Sequence, residues 1–196
     1  SDCSGTGRFA SVALGDGLGD AQIQLTAAGK PRLLLATQPT STSVIQHEYW
    51  SCDANCLQST SWTGTVVVEA GTPFFPSNSE STQSFELDAQ GRPRFIFQSN
   101  DIGSGIAPAG AYLASCDTGC ASAASWRLAQ LDESQWKNSA LTINAQGLPR
   151  IAYSLVEMVE PYLPVLSYLE CGTRDCSAGV NRMKLAITTS AGTMST

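Results

Sequence analysis

QIQLTAAGKPRLLLA at 22–36 returns as SFELDAQGRPRFIFQ at 84–98 and as ALTINAQGLPRIAYS at 140–154. A second phrase follows each copy: EYWSCDANCLQSTSW at 48–62, YLASCDTGCASAASW at 112–126 and SYLECGTRDCSAGVNR at 167–182. Self-similarity at a period of roughly 55–60 residues marks a repeat architecture, so the repeat is read before any local motif. Ala27, Gly29, Pro31 and Arg32 recur as Ala89, Gly91, Pro93 and Arg94, and again as Ala145, Gly147, Pro149 and Arg150. Apolar residues alternate on both sides of this turn: Ile23/Leu25 with Leu33/Leu35, Phe85/Leu87 with Phe95/Phe97, and Leu141/Ile143 with Ile151/Tyr153. Period-two alternation flanking a short Gly-x-Pro turn is a hairpin signal. Glycine supplies a positive φ there, and proline opens the next strand without a ladder donor.

The second phrase reads as another hairpin. A short apolar run leads into a turn bounded by Cys52/Cys56, Cys116/Cys120 or Cys171/Cys176, and a new strand begins near Trp62 or Trp126. Each unit therefore holds four strands, and almost no stretch has the 3.6-residue period of a helix.

Four antiparallel strands repeated in this way resemble the blades of a β-propeller, whose sheets bury their faces on their neighbours. The Gly-x-Pro-Arg turn combined with a paired-Cys turn resembles secreted bacterial propeller repeats. The expected fold is all-β: about three four-stranded antiparallel blades, preceded by one strand of an earlier blade. The repeats fall at about 3–19 (partial), 20–69, 82–133 and 138–190 of a single propeller segment. A β-trefoil is the alternative, since it also uses three copies of four strands, although these copies are longer and lack a Gln-x-Trp signature. Three blades do not close a ring. The resemblance therefore implies a partner, another chain or another copy, that covers the two open faces.

Seven cysteines make three local pairs, Cys52–Cys56, Cys116–Cys120 and Cys171–Cys176, and leave Cys3. Cys3 precedes Phe9 as Cys56 precedes Trp62, so 3–15 reads as a closing strand and Cys3 as half of a pair with a partner outside this chain. Either the partner lies on a piece joined by that disulfide, or Cys3 is free. Zinc sites need four convergent ligands, and with one histidine in the chain the expectation is structural disulfides and no metal. Three bridges imply an oxidising compartment: secreted, periplasmic or cell-surface. A net charge of −6 argues against binding nucleic acid through its phosphates. No apolar run approaches 18 residues, so no membrane span is expected.

No catalytic constellation emerges and no cofactor is expected. His47 stands beside Glu48 without a nucleophile at a diagnostic spacing, and GDGLGD at 15–20, with Asp16 and Asp20, reads as a turn rather than a calcium loop. Arg32, Arg94 and Arg150 read as scaffold, bonding carbonyls, acids or an aromatic face of the neighbouring blade. Trp62 and Trp126 read as covers over the Cys turn. Among the copies, the Gly-x-Pro-Arg and Cys turns barely change, whereas the loops at the opposite end differ each time. That variable face is the candidate binding surface for protein or glycan, with Phe74, Phe75, Asn100, Asp101, Glu157, Met158 and Tyr162 as its candidate residues. The expected function is a non-catalytic extracellular binding and assembly module. The alternative is a segment of a propeller hydrolase, sialidase- or glycosidase-like, with its catalytic residues elsewhere.

Overall fold

The computed structural model describes residues 11–14, 18–38, 45–70, 84–99, 108–134, 136, 138–156 and 164–185. They form twelve strands in three four-stranded antiparallel sheets, with two short 3-10 turns as the helical content. Sheet I comprises β1 (Leu18–Leu25), β2 (Pro31–Gln38), β3 (Ile45–Cys52) and β4 (Trp62–Ala70). Sheet II comprises β5 (Phe85–Leu87), β6 (Pro93–Ser99), β7 (Gly110–Cys116) and β8 (Trp126–Asp132). Sheet III comprises β9 (Asn138–Ile143), β10 (Pro149–Val156), β11 (Pro164–Glu170) and β12 (Asn181–Leu185). Within each sheet the strands lie side by side in chain order, and the three sheets are separate rather than joined into a closed barrel. The expected closing strand at 3–15 is not seen at 11–14, which carry no regular structure, and Cys3 lies outside the described residues. One local reading is corrected: 18–20 of the GDGLGD stretch are strand, with Asp20 opposite Ala36, because the first hairpin runs on past its apolar pairs.

Each sheet opens on the same turn. Gly29, Gly91 and Gly147 have φ of 73°, 75° and 78°. Their N–H groups donate to the carbonyls of Thr26, Asp88 and Asn144, at 2.8, 2.8 and 2.9 Å. The side chains of those three residues accept N–H groups from across the turn. Because no atom lies within 4 Å of an added Cβ at Gly29, Gly29→Ala isolates the conformational cost. It is expected to lower stability by about 1–2 kcal/mol in urea titration, with no change in the assembly of the sheets.

The Cys turn closes the other hairpin. All three local disulfides are formed. The Trp62 indole donates to the Cys56 carbonyl at 2.9 Å, and Trp126 to that of Cys120 at 3.0 Å. The tryptophans therefore cover the turns as expected. Three disulfides fit an extracellular protein, and among the described residues no helix is long and apolar enough to cross a membrane.

The sheets stack face to face in the order I, II, III. Leu34, Tyr49 and Val68 of sheet I pack on Phe85, Phe95, Phe97, Tyr112, Ala114 and Trp126 of sheet II. The other side of sheet II presents Ile96, Ala111, Leu113 and Leu131 to Leu141, Ile151, Tyr153 and Leu169 of sheet III. Successive strand residues point to opposite faces, so PRFIFQS, with its unbroken apolar run Phe95–Phe97, and GAYLASC, apolar at nearly every position, are sequences for a sheet covered on both sides. Every residue of β7 is buried, and β6 is buried except at Gln98. Side chains lock the stack as well. Gln22 on β1 donates to the Ser84 hydroxyl and accepts from the Ser84 and Phe85 N–H groups. Gln98 on β6 brackets the backbone of Trp136, whose indole stacks on Tyr153 with ring centroids 3.9 Å apart.

A candidate binding site at the turn end of the stack

The three recurring arginines are built alike. One Nη1 of Arg32 bonds the carbonyls of Pro31 and Cys52, both at 2.9 Å. Arg94 does the same to Pro93 and Cys116 at 2.8 and 2.7 Å, and Arg150 to Pro149 and Cys171 at 2.9 and 3.1 Å. Each guanidinium thus ties the first hairpin of its sheet to the first cysteine of the second. Arg32 and Arg94 add the aspartate that follows that cysteine, Asp53 and Asp117. The third copy has Gly172 there, and Arg150 pairs with Glu170 instead, at 3.2 Å. The expected structural role is what the hydrogen bonds describe, with a correction: most partners belong to the arginine's own sheet. The exception is Arg94, whose Nε reaches the Arg174 carbonyl of sheet III at 3.1 Å.

Among the described residues two clefts open at this end, each between adjacent sheets. The smaller, about 260 Å³, lies between sheets I and II and is lined by Arg32, Tyr49, Ser51, Arg92, Asp117 and Thr118 among others. The larger, about 540 Å³, lies between sheets II and III. Its walls come from β7 and the second Cys turn (Ser115, Asp117, Thr118), the 3-10 turn and start of β8 (Ser125, Arg127), the third hairpin turn (Leu148) and the third Cys turn (Thr173, Arg174, Asp175). That volume falls in the range of small-molecule sites, roughly 300–1,000 Å³.

The acids in and around the larger cleft are already neutralised. Asp117 pairs with buried Arg94. Asp88, buried beneath the hairpin turn of sheet II, takes Arg92 at 2.6 Å. Burial alone would raise the Asp88 carboxyl, but the Arg92 and Gln90 N–H groups and the Arg92 side chain outweigh it and hold it below the usual carboxylate range. Asp175 pairs with Arg127 at 3.2 Å and accepts from the Ser177 hydroxyl at 2.7 Å. Burial again opposes ionisation, and the Ser177 hydroxyl and N–H, Thr173 and Arg127 overcome it, so Asp175 stays charged. Arg174 is exposed, and among the described residues its guanidinium has no ion-pair partner.

The variable loops between the second and third strands and between repeats carry the candidate residues expected from sequence. Phe74, Phe75, Asn100, Asp101, Glu157, Met158 and Tyr162 all lie outside the described residues. His47 lines neither cleft. It sits at the junction of sheets I and II, stacked on Phe95 with centroids 5.9 Å apart and tilted 5.4 Å from Phe97. The residue is partly buried, but its Nδ1 is shielded from water and has no hydrogen-bond partner. Burial pushes its pKa down to about 4. Neutral and enclosed by apolar rings, it packs rather than catalyses. Among the described residues no three His, Cys, Asp or Glu converge as a metal site. Comparison with known proteins returns no match among protein-family models, curated proteins or solved structures.

Proposed function

We propose that this chain is a non-catalytic extracellular binding and assembly module, a segment of a larger β-propeller in which further four-stranded sheets cover the outer faces of sheets I and III. The binding role falls to the variable loop face, for protein or glycan. The observation that supports this reading is a comparison of equivalent positions. Phe85 and Leu141 face the preceding sheet and are 0% and 2% exposed, whereas Ile23, at the same register on sheet I, is 61% exposed. Leu25 beside it is 59% exposed, and on the far face of sheet III Met183 is 59% and Leu185 38% exposed. Full burial of each such side chain is worth about 1.5–3 kcal/mol, and contiguous apolar surface of this kind marks an interaction face.

Sedimentation velocity combined with binding of a hydrophobic dye tests the reading. The chain is expected to associate as its concentration rises and to bind dye when dissociated. The double substitution Ile23→Lys, Leu25→Lys is expected to abolish association and reduce dye binding, with unchanged far-ultraviolet circular dichroism. A strictly monomeric chain that binds no dye would overturn it.

A further inference from the structure

We propose that the cleft between sheets II and III binds the carboxylate of an acidic saccharide, with Arg127 and Arg174 as its charged ligands. The cleft lies at the opposite end of the stack from the loop face, so the inference stands apart from the reading above. It begins with what the scaffold does not require. Arg32, Arg94 and Arg150 occur in every copy because each clamps a hairpin to a Cys turn. Arg127 and Arg174 occur once each. The position of Arg127, directly after the tryptophan that opens β8, is Thr63 in sheet I, and the Cys turns of sheets I and II carry no arginine. Both extra cations nevertheless line one cleft.

The charge of Arg174 is also not consumed locally. Arg92 is matched by Asp88, Arg94 by Asp117 and Arg127 by Asp175, which leaves Arg174 in surplus. The surplus is positive in a chain of net charge −6. A methyl group added at Gly147 would lie 3.3 Å from Arg174 Nε, 3.6 Å from Arg92 Nη2 and 3.8 Å from Asp88 Oδ2, so both guanidiniums and the Asp88 carboxylate meet at this turn. Arg92 takes the Asp88 carboxylate, which leaves Arg174 to offer a ligand carboxylate the two-point fork of a planar guanidinium. Arg127 is 77% exposed at its side chain and holds Asp175 by one bond, while Ser177 also binds that acid. Arg127 can therefore serve a ligand without leaving Asp175 unpaired.

The rest of the lining selects the ligand class. Ser115, Thr118, Ser125 and Thr173 bring hydroxyl groups, each a donor and an acceptor. Leu148 and Ala124 are the apolar lining side chains, too little to anchor a peptide side chain. Hydroxyls beside a fixed cation suit a uronic acid, whose ring carries several hydroxyls and one carboxylate.

The test is an NMR titration of the intact, disulfide-bonded chain with the methyl glycoside of glucuronic acid, using methyl glucoside and tetra-aspartate as controls. Saturable shifts are expected at 115–118, 125–127 and 173–175 with the glucuronoside. Arg174→Gln and Arg127→Gln should each weaken its binding about tenfold, the loss of one charge-assisted hydrogen bond, while circular dichroism stays the same. Added salt should weaken it further. Equal binding of methyl glucoside, tighter binding of tetra-aspartate, unchanged affinity in the Arg127→Gln, Arg174→Gln double variant, or no saturation by about 10 mM would each overturn the proposal.

Discussion

Replacing Arg94 with alanine is expected to destabilise the chain by about 3–5 kcal/mol, because three carbonyls lose a buried charged donor at about 1–3 kcal/mol each. The side chain is 1% exposed and bonds four acceptors: the Pro93 and Cys116 carbonyls, Asp117, and the Arg174 carbonyl of the next sheet. Truncation leaves three carbonyls short of a donor in a place water reaches poorly, and leaves half-exposed Asp117 only Arg92, 3.9 Å away. Arg94→Lys should recover little, because one ammonium cannot reproduce a planar fork. The internal control is Arg32→Ala. Arg32 makes the same bonds to its own sheet but none to a neighbour, and its acid, Asp53, is 67% exposed. That substitution should cost about 1–2 kcal/mol. Urea titration of the two variants decides the matter, and equal losses would show that the cross-sheet bond and burial add nothing.

Lowering the pH from 7 to 4 is expected to remove about 3 kcal/mol of stability through one imidazole. Unfolded, His47 takes its proton near pH 6.5; folded between Phe95 and Phe97, it takes it near 4. The unfolded chain therefore binds more protons throughout that window. This contribution is complete above pH 6.5 and declines as pH falls toward 4, at 1.36 kcal/mol per pH unit. Its paired neighbours, Ala36 and Val68, carry no charge. The Glu48 carboxylate points to the other face of sheet I, held by Thr37 and Trp50. Asp88 and Asp175 act in a different window. Their folded pKa values are depressed, so their contribution is present above the ordinary aspartate value of 3.8 and lost only as pH falls below it. His47→Leu should flatten the stability profile between pH 6.5 and 4 while leaving the acid limb unchanged. A wild-type profile already flat over that window would refute the assignment.

The hairpins, their turns, the disulfides and the start of β4 and β8 at Trp62 and Trp126 were legible because they depend on neighbours close in the chain. Gly29, Gly91 and Gly147 could be read as positive-φ turn residues for the same reason. The double-sided burial of β6 was written in PRFIFQS, yet only the stacking order reveals that Phe95 meets His47 while Ile96 meets sheet III. The inter-sheet clefts were not legible. Arg127 and Arg174 are 47 residues apart and belong to different copies, so neither period nor spacing links them. The loops differ openly among the copies, whereas Arg127 sits on a strand and Arg174 in a Cys turn whose surroundings otherwise repeat. The partner of each scaffold arginine was half legible: a carbonyl was expected, but its place in the same sheet follows from the antiparallel return of β3 beside β2, as in the pairing of Arg32 with Ser51.

The sandwiching of sheet II has a consequence for how strength is distributed along the molecule. Three layers share two contacts, so the central layer is supported twice and each terminal layer once. In a linear array of such layers, cohesion grows with the number of junctions rather than the number of layers. Opening should therefore begin at β1 or β12 and travel inward, and the backbone amides of β6 and β7 should be the last to trade their hydrogens for deuterium.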